Sequence, residues 1–375
     1  MQYLETVSRS PAASWYRVRG EHESPVSRWV VSTPQTAQIC NEPEVCGVEF
    51  SRQMSSGMSA ALSSAPFIPF LRTIPSNRLC VMNFLRGSLN FDLRGAIAEA
   101  LDSNFHATCF MSSQRYRRDN RWFVKEDMYR KLRVPNGAVL FFGDVVATGV
   151  TVDNGMKVIL EHLLATQSSL KALVFFTIGC HKMEKVMDKY DQTFREHFPD
   201  YQETHLVYLE TKARLVNSTS ELSIGIPGTD LIKADALLAP EFELSQYKTL
   251  GPPLERCVIY DAGSRAFDVA EYLDDVVEYW QQVAELAQNG FTLEQALKER
   301  WPEQEYGSRE ELGAAKRQQW VGIPDDFIDE LWTAYQGRWT ADFRQTAGNA
   351  DALAKVAADR LAILDGLSDY AGDES

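Results

Sequence analysis

The feature that most constrains the fold is a series of short, largely apolar runs between residues 78 and 209. The runs are Leu79–Phe84, Ala107–Met111, Ala138–Phe142, Leu170–Ile178 and Leu206–Leu209. Helix-like segments, such as Leu93–Leu101 and Met156–Leu164, separate several of them. Strands of a parallel sheet are apolar on both faces, because helices cover both sides of the sheet. The alternation therefore predicts an α/β fold with a central parallel sheet flanked by helices.

The two ends of the chain differ from this middle part. Residues 1–70 are rich in Ser, Pro and Gln and contain one strand-like run, Trp29–Val31, so we expect an N-terminal arm or cap. After about residue 265 the pattern is helical, beginning with Val269–Gln288, and Gly290 is the expected stop of that helix. Further predicted helices are Thr292–Arg300, Asp325–Tyr335 and Asp351–Leu364. We predict three parts: the arm 1–70, an α/β domain 71–265 and a helical module 266–375, whose role stays open.

Composition excludes several classes of protein. Of 375 residues, 45% are hydrophobic and 24% charged, which is enough apolar material for a large core and excludes disordered, collagen-like and coiled-coil chains. The 38 Lys and Arg residues against 52 Asp and Glu residues give a net charge of −14. This overall field does not favour nucleic acid or an anionic membrane as a partner. An anionic ligand must therefore be bound by local basic residues and backbone amides.

The cysteines and the first residues indicate the compartment. The chain has six cysteines, and no two of them form a Cys-x-x-Cys pair. A chain of this length does not need disulfides, so we expect reduced, mostly buried cysteines and a cytoplasmic protein. Residues 1–28 lack an apolar stretch typical of a signal peptide, and no apolar run approaches the length of a membrane-spanning helix. We expect neither a signal peptide nor a membrane anchor.

The segment Val139–Thr151 carries the clearest chemistry. An apolar strand ends at Asp144, and the small-residue loop Ala147-Thr148-Gly149-Val150-Thr151 then leads into a helix. In an open α/β sheet, ligands bind beyond the carboxyl ends of the strands. The loop amides and the helix N-terminus suit a dianionic phosphate, and the hydroxyls of Thr148 and Thr151 add donors. Asp144 can accept hydrogen bonds from the two hydroxyls of a ribose. Neither a Gly-Lys-Ser/Thr phosphate loop nor a GxGxxG dinucleotide motif is present.

This run resembles the phosphoribosyl diphosphate signature of type I phosphoribosyltransferases, and its motifs are closest to those of uracil phosphoribosyltransferase-like proteins. The resemblance covers about residues 78–235 and implies that family's α/β fold. It implies that Asp144 is catalytic and that Ala147, Thr148, Gly149, Val150 and Thr151 bind the sugar phosphate. Two positions depart from the family pattern: Gly143 replaces the first of two acids, and Val150 replaces the second loop glycine. The alternative is a strand followed by a helix-start turn without a ligand.

The loop Leu85-Arg86-Gly87 extends the resemblance. It follows the first apolar run, at the place where the family receives the diphosphate. The resemblance implies that Leu85 and Gly87 contact the diphosphate and that Arg86, whose guanidinium is a fixed fork of donors, stabilises it as it leaves. The alternative is an exposed arginine at a turn.

The basic stretch Gln114–Arg121 is also similar to a segment of uracil phosphoribosyltransferases. It contains four arginines in an acidic chain, and we expect a mobile loop that grips the diphosphate and excludes water. The resemblance implies that Arg115 and Arg117 bind the diphosphate and that Arg118 is catalytic. The alternative is a solvated basic loop or a patch for a partner.

The stretch Ser223–Asp230 resembles the base-binding segment of the same family. The resemblance implies that Ile226, Gly228 and Asp230 hold a pyrimidine-like base, whereas the alternative is a plain Pro-Gly turn. His181 follows another predicted strand, and we interpret it as structural rather than as a general base.

Together these motifs predict transfer of 5-phosphoribose from phosphoribosyl diphosphate to a nitrogen of a pyrimidine-like acceptor, with release of diphosphate. Mg²⁺ would arrive with the phosphoribosyl diphosphate, so no protein ligands for a metal are predicted. A homodimer is expected by analogy with the family. The first alternative is a non-catalytic regulator on the same fold that senses phosphoribosyl diphosphate or a nucleotide. The second is a specialised transferase with an unusual acceptor.

Overall fold

The computed structural model describes residues 2–20, 24–118, 121–226, 230–255, 262–301 and 305–372; the side chains of 113–128 and 368–372 lie outside this description. The strands are β1 (Tyr3–Ser8), β2 (Ser14–Arg19), β3 (Ser27–Ser32), β4 (Leu79–Phe84), β5 (Ala107–Arg118), β6 (Arg121–Lys131), β7 (Ala138–Val146), β8 (Leu170–Cys180), β9 (Glu203–Leu215), β10 (Leu231–Leu238) and β11 (Trp320–Val321). The helices are α1 (Pro34–Asn41), α2 (Gly47–Ser63), α3 (Ile68–Leu71), α4 (Leu93–Leu101), α5 (Val150–Ala165), α6 (Lys182–His197), α7 (Pro240–Gln246), α8 (Gly251–Leu254), α9 (Ala262–Phe267), α10 (Val269–Gln288), α11 (Leu293–Arg300), α12 (Arg309–Gln319), α13 (Asp325–Arg338), α14 (Ala341–Ala347) and α15 (Ala350–Gly372). Short 3₁₀ turns span Ser76–Arg78 and Gly87–Phe91.

All the strands belong to one mixed sheet in the order β11-β1-β2-β3-β9-β8-β7-β4-β5-β6, with β10 paired to β9. The six middle strands, in the spatial order β3-β9-β8-β7-β4-β5, run parallel to one another. The pairs β1–β2, β2–β3, β5–β6 and β9–β10 are antiparallel, and the short end strand β11 pairs in parallel with β1. Every residue of β4 is buried, and β8 is buried at all positions but one. This two-sided burial explains the apolar runs in the sequence, and the predicted α/β class with a largely parallel sheet flanked by helices is confirmed.

The first 70 residues contribute to this sheet as well as to its helical cover. β3, which contains the predicted strand-like run, pairs in parallel with β9, so that Trp29 lies opposite Val207. β1 and β2 continue the sheet beyond it, and α2 packs against α4. Residues 3–32, which the sequence assigns to an arm, are therefore structurally continuous with the parallel strands.

The C-terminal helices form a helical region that also reaches the sheet. α10 packs along α15, and the two residues of β11 pair with β1, placing Trp320 opposite Leu4. The indole nitrogen of Trp320 donates to the Leu238 carbonyl at 3.1 Å. Trp280, Trp301 and Trp320 are buried, as expected of tryptophans that fill a core.

The basic stretch differs from its prediction. Its arginines lie in β5 and β6, which pair antiparallel as far as Arg118 opposite Arg121, so this stretch is part of a β-hairpin rather than a loop. Aromatic and β-branched residues favour strands, and Tyr116, Trp122 and Phe123 supply them here. The charges obscure this signal in the sequence.

The described cysteines Cys40, Cys46, Cys80, Cys109 and Cys180 are free thiols, and all but the half-buried Cys46 are buried. Cys257 lies outside the described residues. None of the described helices combines the length and the apolar character that crossing a membrane requires.

Candidate functional site

The candidate site lies at the carboxyl ends of β4 and β7. These strands are parallel neighbours, with Met82 opposite Phe142, so the loops that follow them lie at the same edge of the sheet. β8 flanks β7 on the other side, and its Thr177 lies opposite Asp144. The structure therefore brings together Leu85–Gly87 and Ala147–Thr151, two segments separated by about sixty residues of sequence.

The loop Ala147–Thr151 leads into α5 through Gly149. Gly149 has φ of 78°, a left-handed conformation that side chains rarely adopt, and a Cβ there would lie 3.3 Å from Val186 Cγ2. Its carbonyl accepts the Asp153 amide at 2.9 Å. From β8, the Cys180 thiol donates to the Ala147 carbonyl at 3.2 Å. Both the conformation and the close approach thus require glycine in this loop.

The two hydroxyls of the loop differ in exposure. Thr148 is half-buried. Thr151 Oγ1 is shielded from solvent and has no hydrogen-bond partner among the described residues. The Thr151 hydroxyl therefore faces the protein interior, which leaves Thr148 and the backbone as the loop's approach to a ligand.

Asp144 lies next to the loop that follows β4. Its side chain is half-buried, and its Oδ1 accepts the Val145 amide at 2.9 Å. A Cβ on Gly87 would lie only 3.1 Å from the same oxygen. Because Gly87 has no side chain, the backbone of the loop after β4 can approach the Asp144 carboxylate at the end of β7. Sequence spacing alone does not reveal this role of Gly87.

Gly143 is explained by Phe91. A Cβ on Gly143 would lie 2.6 Å from Phe91 Cβ and would overlap the ring, which is completely buried. Real Cβ atoms do not approach so closely. The place where the family pattern has its first acid is therefore filled by an aromatic side chain, and Asp144 is the acid that remains in that pair of positions.

The loop Leu85–Gly87 is fixed at both ends while Arg86 is exposed. The Leu85 amide donates to the Met111 carbonyl at 2.8 Å, and the Ser88 hydroxyl donates to the Phe84 carbonyl at 2.5 Å. The peptide bond between Leu85 and Arg86 is cis. Arg86 itself is exposed, so a guanidinium stands at this edge with its backbone held.

The hairpin extends past this edge. β5 pairs with β4 as far as Phe84 opposite Met111 and then continues to Arg118. The backbone of Arg115, Arg117 and Arg118 therefore continues beyond the carboxyl end of β4, and their side chains lie outside the described residues.

The predicted base-binding segment is placed elsewhere along the sheet. It follows β9, two strands from β7, and Ile226 is exposed. Asp230 is fully buried, and its Oδ2 lies 3.5 Å from Arg300 Nη1, which is buried with it. Gly228 lies outside the described residues. The structure therefore does not bring the Asp230 carboxylate to Asp144.

Ionisable side chains also lie near the carboxyl ends of β8 and β9. His181 follows β8, and its side chain is exposed to solvent. Partial desolvation of the imidazole, together with the nearby cations of Lys182 and Lys212, holds its pKa below the ordinary value. Lys212 is nearly buried and pairs with Glu184 at 2.7 Å. An imidazole with a lowered pKa is neutral at physiological pH.

In the part of the chain that the structure describes, no group of three or more His, Cys, Asp or Glu side chains is arranged to hold a metal ion.

No family model and no curated protein matches the sequence. Similar solved structures include the AQ2163 protein from Aquifex aeolicus, with a TM-score of 0.34, 14% identity, and 47% of this chain and 82% of that one covered. They also include a hypoxanthine-guanine phosphoribosyltransferase from Bacillus anthracis, with a TM-score of 0.24, 13% identity and coverages of 35% and 68%. A hypoxanthine phosphoribosyltransferase from Staphylococcus aureus has a TM-score of 0.24, 16% identity and coverages of 36% and 67%. These names give the expected link to uracil enzymes no support. TM-scores of this size carry no weight for function, which has to be inferred from the site itself.

Proposed function

We propose that the protein transfers the 5-phosphoribosyl group of phosphoribosyl diphosphate to a nitrogen of a heterocyclic acceptor. The observation that carries this proposal is the meeting of two strand-end loops, Leu85–Gly87 and Ala147–Thr151, beside one carboxylate. A Cβ on Gly87 would lie 3.1 Å from Asp144 Oδ1, and the Ala147–Thr151 loop follows Asp144 directly. Phosphoribosyl diphosphate has an anionic group at each end and two hydroxyls between them, which this arrangement suits.

Each part of the donor then has a proposed partner. The 5-phosphate binds the amides of the loop Ala147–Thr151 and the start of α5. The ribose hydroxyls bind Asp144. The diphosphate, with the Mg²⁺ that it carries, binds Leu85–Gly87 and the arginines Arg115, Arg117 and Arg118 of the hairpin.

In the reaction, the bond between C1 and the diphosphate oxygen breaks, and its electron pair leaves with the diphosphate. The lone pair of the acceptor nitrogen forms the new C1–N bond, and the nitrogen's proton passes to solvent. Asp144 stabilises the positive charge that develops on the ribose, and Arg86 stabilises the negative charge on the departing group. Placement and electrostatics are sufficient for this chemistry.

The acceptor is proposed to be pyrimidine-like and to contact backbone groups around Ile226 and Gly228. Asp230 takes part only through the fold, because its carboxylate is buried beside Arg300. A specialised acceptor of similar size fits the same proposal.

The test is release of diphosphate from phosphoribosyl diphosphate and Mg²⁺ in the presence of a panel of pyrimidine and purine bases. The wild type should release diphosphate with at least one base, and Asp144→Asn should reduce turnover by roughly a hundredfold, the scale of losing one electrostatic group. Turnover by Asp144→Asn at the wild-type rate would remove Asp144 from the mechanism.

One observation favours a second candidate, a regulator that binds phosphoribosyl diphosphate or a nucleotide without reacting it. Phe91 fills the position of the first acid, and binding of an anion does not need that acid. The same assay separates the two: stabilisation by phosphoribosyl diphosphate without diphosphate release, whatever the base, would support the regulator and contradict the transferase.

A further inference from the structure

Asn90 links three parts of the structure from inside the turn that follows β4. Its side chain is 2% exposed. Nδ2 donates to the Ala262 carbonyl at 2.8 Å and to the Gly87 carbonyl at 3.3 Å, and Oδ1 accepts the Ser51 hydroxyl at 3.0 Å. Both ends of the amide are therefore used, and the loop beside Asp144 is joined through it to α9 and to α2.

These bonds determine which way the backbone of the turn faces. Because the Gly87 carbonyl is held by Asn90, the peptide group between Gly87 and Ser88 cannot turn its oxygen toward an incoming anion without breaking a buried hydrogen bond. Phe91, which follows Asn90, holds the end of the turn in place because its ring packs in the space beside Gly143. A carbonyl turned toward a diphosphate would repel it, so the orientation of this peptide matters for binding an anion.

The Ala262 carbonyl is a firm anchor for Asn90. Three residues later, Arg265 is 1% exposed, and its guanidinium donates to three backbone carbonyls, one in α1 and two in the segment joining α1 to α2. These acceptors are Val45 at 2.6 Å, Ile39 at 3.2 Å and Glu42 at 2.7 Å. The Ala262 methyl would also lie 3.7 Å from a Cβ on Gly87, so α9 directly borders the loop.

We propose that Asn90 is a positioning residue that holds Leu85–Gly87 in the orientation that receives the diphosphate of phosphoribosyl diphosphate, with α9 as its anchor. This inference rests on the proposed function. It assigns Asn90 the task of orienting the part of the site that receives the diphosphate. It does not place Asn90 in contact with the ligand.

The experiment compares two probes that occupy opposite ends of the site: inorganic diphosphate with Mg²⁺, and ribose 5-phosphate. Affinities are measured by calorimetry for the wild type, Asn90→Ser, Asn90→Asp and the matched control Ser51→Ala, which keeps both bonds that Asn90 donates. Asn90→Ser cannot span both carbonyls, and Asn90→Asp puts an acceptor against them. Both Asn90 variants should bind diphosphate at least about tenfold more weakly, the equivalent of about 1.4 kcal/mol, and ribose 5-phosphate within about twofold of wild type. Ser51→Ala should stay within about twofold for both probes.

Wild-type affinity of Asn90→Ser for diphosphate would overturn the inference, and so would an equal loss for both probes, which indicates general loosening. Should Asn90→Asp fail to fold, Asn90→Ser decides. Hydrogen exchange of the wild type is a second measurement: the Leu89 amide, which donates to the Arg86 carbonyl at 3.1 Å, should be protected before any ligand is added, and immediate exchange there would contradict a pre-positioned turn. A wild type that binds neither probe overturns the proposed function and this inference together, whereas normal binding by wild type and Asn90→Ser alike overturns this inference alone.

Discussion

Two carboxylates lie near the carboxyl ends of the parallel strands on either side of β8, and their surroundings are opposite. Asp144 in β7 is half-buried beside the loop Leu85–Gly87 and the small-residue loop Ala147–Thr151. Glu210 in β9 is fully buried and accepts hydrogen bonds from Ser32 Oγ at 2.7 Å, the Thr33 amide at 2.9 Å and Thr36 Oγ1 at 2.5 Å. The protein satisfies Glu210 internally, whereas Asp144 keeps part of its side chain exposed.

The comparison shows that position at a strand end does not by itself create a site. Glu210 is enclosed because β3 and α1 pack against that part of β9, and these elements come from the first 70 residues. Asp144 instead borders Gly87, whose missing side chain leaves the loop after β4 close to the Asp144 carboxylate. The difference lies in the neighbours and not in the acids.

The largest expected effect is on stability and separates the two acids. Glu210→Ala removes a buried side chain and the acceptor that three buried donors share, so we expect a loss of about 4 kcal/mol in the free energy of unfolding. Asp144→Asn keeps the shape of a half-exposed side chain and should cost less than about 1 kcal/mol. Urea denaturation measures both, and equal losses would break the comparison.

A second prediction concerns the room at the end of β7. Gly143→Asp would force a side chain into the Phe91 ring, and we expect a loss of about 3 kcal/mol by overpacking. Combining it with Phe91→Ala should recover part of this loss, which a double-mutant cycle detects as coupling between the two sites. Strictly additive losses would show that Phe91 is not what excludes the second acid.

A third prediction tests the phosphate loop. Phosphoribosyl diphosphate with Mg²⁺, at about a hundred times its dissociation constant, should stabilise the wild type by about 2.7 kcal/mol, and Gly149→Val should lose this stabilisation. Gly290→Val is the matched control, because Gly290 has φ of 87°, lies far from the loop in sequence, and would place a Cβ more than 4 Å from any atom of the described neighbours. Thermal melts with and without ligand check both variants; a Gly149→Val protein that keeps the full ligand effect would rule out the assigned loop.

The last prediction concerns the pH dependence of stability that Glu210 contributes, expressed as a change per pH unit. Burial, partly offset by the hydrogen bonds from Thr36, Ser32 and Thr33, raises the pKa of Glu210 from 4.5 to about 8. The unfolded chain loses this proton near pH 4.5 and the folded protein keeps it to about pH 8, so stability falls as pH rises between these values. The contribution is at most about 1.4 kcal/mol per pH unit. Glu210→Gln should remove it in denaturation curves measured across this window, and an unchanged slope would show that Glu210 is ionised in the folded state.

Much of the site can be predicted from sequence because its chemistry is local. The strand, Asp144, the loop Ala147–Thr151 and the helix after them are consecutive, and each has its own compositional signal. Asn90 and Phe91 have no such signal. Asn90 bonds to Ser51 and Ala262, which are 39 and 172 residues away, and Phe91 is explained only by Gly143. The unusual Gly143 was the one visible trace of this packing in the sequence.

The sequence alone indicated the buried strands β4, β5, β7, β8 and β9, the helices α4 and α5 and the small-residue loop Ala147–Thr151, because apolar runs and small-residue turns act over a few neighbouring residues. Only the tertiary structure decided that β1–β3 extend the sheet, that Phe91 leaves room for a single acid beside the loop, and that Asp230 is buried against Arg300. These outcomes depend on space and on partners from distant parts of the chain, and no local pattern encodes which segment will fill a given gap.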